Sequence, residues 1–266
     1  MADAVETVEL FDIGIARLTF PELCARVLHR VQARTPGYIV TPNVNHVCLL
    51  QRDAAFREAY TSAFLALPDG VPIMWAARLF GRPLPQKLSG SDLVPELTAF
   101  AAQSGMSVYF LGGLPGSAEK AVARLQQQHP ALQVAGVYCP PFGFERDPDA
   151  LEQTLARVDA AKPDLCFIAL GSPKQELFMH RYHRRMGATV CVGVGAAFDM
   201  LSGRVQRAPR WLQASGMEWL WRLAQEPRRL WRRYLVEDTL FFRLLWREWL
   251  RQRRARLPER AEDHRR

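Results

Sequence analysis

Short apolar runs that alternate with helical segments constrain this chain more than any other feature. Tyr38 to Thr41, Ala63 to Leu67, Ser107 to Leu111, Leu132 to Val137, Asp164 to Leu170 and Thr189 to Val194 read as strands. Helical patterns fall between them, at about His46 to Tyr60, Val71 to Phe80, Asp92 to Gln103 and from Gly116 to Gln128. Another helix starts the series: Thr19 caps it, Glu22 closes a capping box and Pro21 fits its first turn. Strands separated by helices need crossover connections, and these make a parallel sheet. Both faces of such a sheet are covered, so its strands are apolar throughout. The expected fold class is α/β: a Rossmann-like, mostly parallel sheet with helices on both faces, plus a C-terminal helical appendage.

The appendage is marked by a change of composition. Residues 1–209 carry the α/β pattern, and 210–266 read as helices only, with Pro227 dividing Trp211 to Gln225 from a longer helix beginning near Arg228. Of the net charge of +8, most lies here: Trp211 to Arg266 holds fourteen Arg, no Lys and eight acidic residues. Six of the seven Trp are also here, and only Trp75 lies in the body. The long helix sets Leu230, Trp231, Tyr234, Leu235, Phe241, Phe242, Leu245, Trp246 and Trp249 between arginines, whereas Arg251 to Arg266 is too charged to pack and is expected to fray. Three readings fit: a tail packed on the body, a nucleic-acid arm, or an element lying on an anionic membrane surface. No run of about 18 apolar residues is present, so no span is expected. The N-terminus lacks a signal core. Five scattered Cys without metal spacing read as reduced, buried thiols.

Ligands of open parallel sheets bind beyond the carboxyl ends of the strands. Four polar clusters sit there: Thr41-Pro42-Asn43-Val44-Asn45, Pro68-Asp69-Gly70, Gly112-Gly113-Leu114-Pro115-Gly116 and Gly171-Ser172-Pro173-Lys174-Gln175-Glu176. Asp69 is placed either as a general base or as a helix N-cap. The Gly112-Gly113 turn admits a phosphate at a helix N-terminus or is a plain turn. Lys174 faces a pyrophosphate or solvent. Asp147-Pro148-Asp149 is a D-x-D string of the kind that holds metal in many glycosyltransferases, but Pro148 and its place at a helix start favour capping. None of the six His has metal-ligand spacing, and no G-x-S-x-G elbow is present.

Taken together, the rim motifs resemble the WecG/TagA/CpsF glycosyltransferases. To those named above the likeness adds Ser89-Gly90-Ser91-Asp92-Leu93, Phe110-Leu111-Gly112-Gly113, Val192 to Asp199, Arg207-Ala208-Pro209-Arg210-Trp211, Gly216 to Leu220 and Glu226 to Leu230. It spans about Val8 to Tyr234, with nine motifs in order. The resemblance implies an inverting, metal-independent transfer, with no cofactor, from a UDP-sugar to an undecaprenyl-pyrophosphate-linked sugar in surface polysaccharide synthesis. Asp69 is then the base, with Thr41 and Asn43 beside it. Asn45, Lys87, Asp92, Gly112, Gly113, Lys174, Gln175 and Glu176 become substrate contacts. Lys87 stands where the resembling family often has Arg; it keeps the charge and loses the planar fork. The appendage is expected to dock on the membrane and to lend Arg222, Arg229 or Arg232 to the site.

The expected partners are therefore a UDP-sugar, a polyprenyl-pyrophosphate-linked acceptor and an anionic membrane surface, with no nucleic acid and with a homo-oligomer left open. The expected location is cytoplasmic, peripheral on the inner face of a bacterial plasma membrane. N-acetylmannosamine, its uronic acid and glucose are all open as donor sugars. Two competing readings are a nucleotide-binding redox enzyme, suggested by the strand–Gly–helix unit, and a nucleic-acid binder using the basic tail.

Overall fold

The computed structural model describes residues 5–262, with the side chains of all of these except Arg210, Arg229 and 252–262. The chain opens with an antiparallel hairpin, β1 (Thr7–Leu10) and β2 (Ile13–Ala16). Phe11 and Asp12 turn it with φ of 55° and 65°. Positive φ at both central residues is the hairpin turn that matches strand twist, and the sequence reading did not include this hairpin.

Six strands then form one all-parallel sheet: β3 (Gly37–Val40), β4 (Leu65–Ala66), β5 (Ser107–Gly112), β6 (Gln133–Tyr138), β7 (Leu165–Ala169) and β8 (Val190–Gly193). Their order is β4-β3-β8-β7-β5-β6. Successive side chains point to opposite faces, so each strand feeds two cores. One holds Tyr38, Val40, Leu111, Ile168 and Cys191; the other holds Ile39, Val108, Phe110, Phe167 and Val192. Four of the five Cys are buried and all are free.

The second core is closed by α1 (Phe20–Gln32), α5 (Gly90–Ser104), α6 (Ser117–Gln128) and α9 (Ala197–Leu201). Glu22 Oε2 accepts from the Thr19 backbone N–H at 2.7 Å, as the capping box requires. The first core is closed by α2 (Val44–Leu50), α3 (Ala54–Thr61), α4 (Val71–Leu79), α7 (Pro148–Ala161) and α8 (Lys174–Tyr182). The single helix expected over His46 to Tyr60 is two, because Asp53 caps a new start by accepting from the Phe56 N–H at 3.0 Å.

Beyond α9 come α10 (Arg210–Ala214), α11 (Glu218–Gln225), α12 (Pro227–Arg232) and α13 (Leu240–Glu262), with a π turn over Arg233–Glu237. The helix expected from Trp211 to Gln225 is broken by Gly216, at φ +71°. Part of this appendage is core. Leu230, Phe241 and Leu244 are buried, and the Phe241 ring lies 5.3 Å from that of Phe11. Burying side chains of this size contributes roughly 1.5–3 kcal/mol each. The packed-tail reading thus holds for one face, while Trp211, Trp219, Trp231, Leu235, Phe242 and Trp246 stay exposed. The backbone of α13 runs on through the charged stretch to Glu262, whereas the side chains of 252–266 lie outside the described residues.

One rim glycine is fixed by the sheet itself. Gly112 has φ +95°, and a Cβ there would sit 2.6 Å from the Ala169 carbonyl oxygen. Gly105 has φ +67° with open space around it. Gly112→Ala is therefore expected to lose at least about 2 kcal/mol, and Gly105→Ala about 1 kcal/mol, through backbone strain alone. Urea titrations read this as a lower midpoint at unchanged m; equal losses would mean that the Ala169 contact costs nothing.

Candidate active site

The parallel sheet brings the ends of β3, β4, β8, β7 and β5 to one rim. Leaving β3, Thr41 is buried and Asn43 caps α2, its Oδ1 accepting from the His46 N–H at 3.2 Å. Leaving β4, Asp69 donates its backbone N–H to the Pro42 carbonyl at 3.0 Å, so the two loops are tied together. The N-cap of α4 is Gly70, so the capping alternative for Asp69 is not the one adopted.

The Asp69 carboxylate keeps some access to solvent, but its neighbours crowd it. Burial, first, pushes its pKa up to about 6; Lys87, a hydrogen bond from Asn43 and Arg222 pull it down, and Glu218 adds to the rise. Lys87 comes from the loop before α5, and Glu218 and Arg222 from α11. One carboxylate therefore feels both the sheet domain and the appendage. Lys87 Nζ lies 3.0 Å from Asp92 Oδ2, and Asp92 also accepts from Ser89 and from Arg207. These bonds hold the Asp92 carboxyl below the usual range against the opposing effect of burial. Asp92 so orients Lys87 beside Asp69.

Beneath Thr41 lies a buried His46. Its Nδ1 is 2.6 Å from Tyr60 Oη and its ring also bonds the Thr41 backbone. Burial, then the charge of Arg233, depress its pKa to about 3, so the imidazole is neutral near pH 7.

At the end of β7, a cis Ser172–Pro173 bond precedes α8. Gln175 is buried: its Oε1 accepts from the Gly195 N–H at 3.0 Å and its Nε2 donates to Glu176 Oε1 at 2.7 Å. Glu176 has no exposed surface, and burial lifts its pKa to about 7, opposed by Gln175, Ser172 and Arg233. Glu176 Oε2, Ser172 Oγ and Arg233 Nε are all buried here. Burying a polar group costs free energy unless another group meets it, and Ser172 and Arg233 are among the groups that offset the burial of Glu176.

The remaining candidates separate. Asn45 Nδ2 donates to Asp238 Oδ1 at 3.1 Å, which ties the rim to the appendage. Gly112 and Gly113 make the turn after β5, where Asp199 Oδ1 accepts from the Leu114 N–H at 3.2 Å. Lys174 neither floats in solvent nor faces the rim centre: it pairs with Glu145 at 2.9 Å and stands over the Phe142 ring. Arg222 makes no ion pair with Asp69 but lies near enough for its charge to lower the pKa of that carboxyl. Arg232 is exposed and points to Glu237 at 3.6 Å, and the Arg229 side chain lies outside the described residues. Arg233, absent from the sequence candidates, acts on Glu176, His46 and Asp238 instead. Arg207 was visible only within its motif. Asp147 is a cap, its Oδ1 accepting from the N–H groups of Asp149 and Ala150 at 3.0 and 3.3 Å. Among the described residues, no group of three or more His, Cys, Asp or Glu is placed to hold a metal ion.

Comparison with known sequences places the chain in a family. The chain matches the Glycosyl transferase WecG/TagA/CpsF family over residues 8–255. It is 33% identical over 199 residues to the N-acetylglucosaminyldiphosphoundecaprenol N-acetyl-beta-D-mannosaminyltransferase of Bacillus spizizenii, covering 75% of each chain. To the protein of the same name from Bacillus subtilis it is 28% identical over 236 residues, 89% of each chain. A match running from the first hairpin into α13 makes the chain a member of the WecG/TagA/CpsF family, and so a glycosyltransferase.

Proposed function

We propose that the enzyme transfers a sugar from a UDP-sugar to a hydroxyl of a sugar carried on undecaprenyl diphosphate, with inversion and without a metal, in the assembly of a bacterial surface polysaccharide. The names of its relatives support N-acetylmannosamine as the transferred sugar and N-acetylglucosamine as the acceptor. Asp69 carries the proposal: a rim carboxylate lifted to about 6 holds a proton weakly enough to be ionised near neutrality and strongly enough to take one.

In this mechanism Asp69 accepts the proton of the acceptor hydroxyl as its oxygen attacks the anomeric carbon. The bond from that carbon to the diphosphate breaks, and UDP leaves with the electron pair. Asn43 orients the carboxylate, and Thr41 is held beside it by the His46–Tyr60 pair. Charge growing on the diphosphate is met by Lys87, Arg222 and Arg233 and by rim N–H groups, donors fixed before the reaction begins. No cofactor takes part.

Among the described residues, no helix is long and apolar enough to cross a membrane. A lipid-linked acceptor then requires the enzyme to come to the bilayer. The exposed tryptophans of α10 to α13, set among arginines, suit peripheral docking on an anionic inner leaflet.

UDP release is the assay, with a short-chain pyrophosphate-linked acceptor and EDTA present. Asp69→Asn is expected to lose on the order of 10²- to 10⁴-fold in kcat with an unchanged thermal melt. Full activity in that variant removes Asp69 as base, and loss of wild-type activity in EDTA removes the metal-free route.

The base works when deprotonated, so kcat/KM is expected to rise with pH through about 6 and then level. Arg222→Ala removes a charge that favours the carboxylate and is expected to move this limb to higher pH; Glu218→Gln moves it lower. Glu176→Gln should leave the limb in place. If it abolishes the limb, Glu176 is the group that titrates.

A further inference from the structure

Helix α4 belongs to the sheet domain and begins just after Asp69-Gly70. It buries Ile73, Ala76 and Ala77 against the core. Its other face carries Trp75, 56% exposed, and Leu79, 61% exposed. Four residues apart, they share one side of the helix. Nothing in the catalytic arrangement uses them, and Trp75 is the body's only tryptophan.

The appendage adjoins this face. Gly216, in the turn between α10 and α11, lies so close that a Cβ there would stand 3.2 Å from Trp75 Cη2 and 3.4 Å from Val71 Cβ. Met217 and Leu220, beside that turn, are exposed as well. The apolar surface of the appendage thus continues onto α4. Arg78 and Arg82, at the far end of the helix, are exposed and give the patch a basic edge. An apolar face bordered by arginines matches the boundary between headgroups and acyl chains of an anionic bilayer.

We propose that α4 is a second membrane-contact element: Trp75 and Leu79 enter an anionic bilayer surface beside the appendage, so that the sheet domain itself is seated on the lipid. The proposal rests on the peripheral docking described above and assigns it a contact outside the appendage. It has a consequence for catalysis. Trp75 is four residues from Val71, about 6 Å along the helix axis. Seating α4 therefore fixes the height of Asp69 above the lipid within about a helix turn or two. An acceptor hydroxyl joined to its lipid only through a diphosphate and a sugar is confined to a comparable distance.

The test compares the full chain with Trp75→Gln/Leu79→Gln and with Leu79→Gln alone. Binding is read by sedimentation with vesicles of phosphatidylglycerol and phosphatidylcholine, and with phosphatidylcholine alone. Activity is read on a polyprenyl-diphosphate-linked acceptor in the same vesicles and on a water-soluble short-chain acceptor. The double variant is expected to bind anionic vesicles about tenfold more weakly and to lose a similar factor on the vesicle-borne acceptor. Its turnover of the short-chain acceptor should stay within about twofold of wild type. Leu79→Gln, which does not disturb the Trp75–Gly216 contact, should show the same pattern in smaller degree.

If wild type binds anionic vesicles and both variants bind equally well, α4 is not a lipid contact, although peripheral docking stands. If wild type fails to bind them, docking itself falls and α4 with it. If the variants change only self-association, seen as a dimer-to-monomer shift in analytical ultracentrifugation, the face joins two copies of the chain and the proposal is overturned. Equal losses on both acceptors in Leu79→Gln would show damage to the site rather than to docking, and would also overturn it.

Discussion

The parallel pairing of β3 with β4 on one side and β8 on the other governs the rest of the structure. β3 is only four residues long, and its register aligns Ile39 with both Leu65 and Val192. Three loops therefore leave the sheet at the same level. Thr41 and Asn43 come from the first, Asp69 from the second and Gly195 from the third. The Asp69-to-Pro42 backbone bond and the Gly195-to-Gln175 bond then join these loops to one another and to α8. A slip of one residue in β3 would exchange its two faces, send Ile39 to the wrong core and unmake the rim.

Crowding at that rim produces its chemistry. Asp69 and Glu176 are lifted chiefly by burial, and cationic groups from separate elements restrain the lift. Lys87 is anchored by Asp92, and Arg222 and Arg233 arrive from the appendage. Asp69 and Glu176 belong to the sheet domain, whereas Arg222, Arg233 and Glu218, which shift them, come from the appendage, so the appendage is part of the electrostatics of the site.

The sheet was legible because burial on both faces leaves continuous apolar runs, of which Ser107 to Leu111 is the clearest. The rim was legible because topology alone puts strand ends together, and Asp69-Gly70 could be located without a structure. Other features gave weaker signals. Phe11-Asp12 lacks the Asn-Gly or Asp-Gly signature of a tight hairpin turn. Asp53 interrupts a helical pattern without breaking its periodicity. Lys174 read as facing a pyrophosphate or solvent because its partner, Glu145, lies far away in sequence. Arg232 and Arg233 are adjacent in sequence, and straight helical counting cannot tell which one faces the site. The π turn that begins at Arg233 changes the phase of the helix there, and such insertions are frequent at functional sites.

One segment serves two surroundings on both sides of the π turn. Leu230, Phe241 and Leu244 are buried, the last two in the core that holds the first hairpin, while Trp231, Phe242 and Trp246 stay exposed. Asp238 sits between these stretches, buried and bonded to Asn45 of the β3 loop. Its carboxyl is raised by burial and restrained by Asn45 and Arg233. The link from Asn45 through Asp238 to Arg233 therefore fixes where the appendage crosses the rim. Arg233 acts on Glu176 and Arg222 on Asp69, so the position of the appendage against the sheet domain sets the charge that both carboxylates feel.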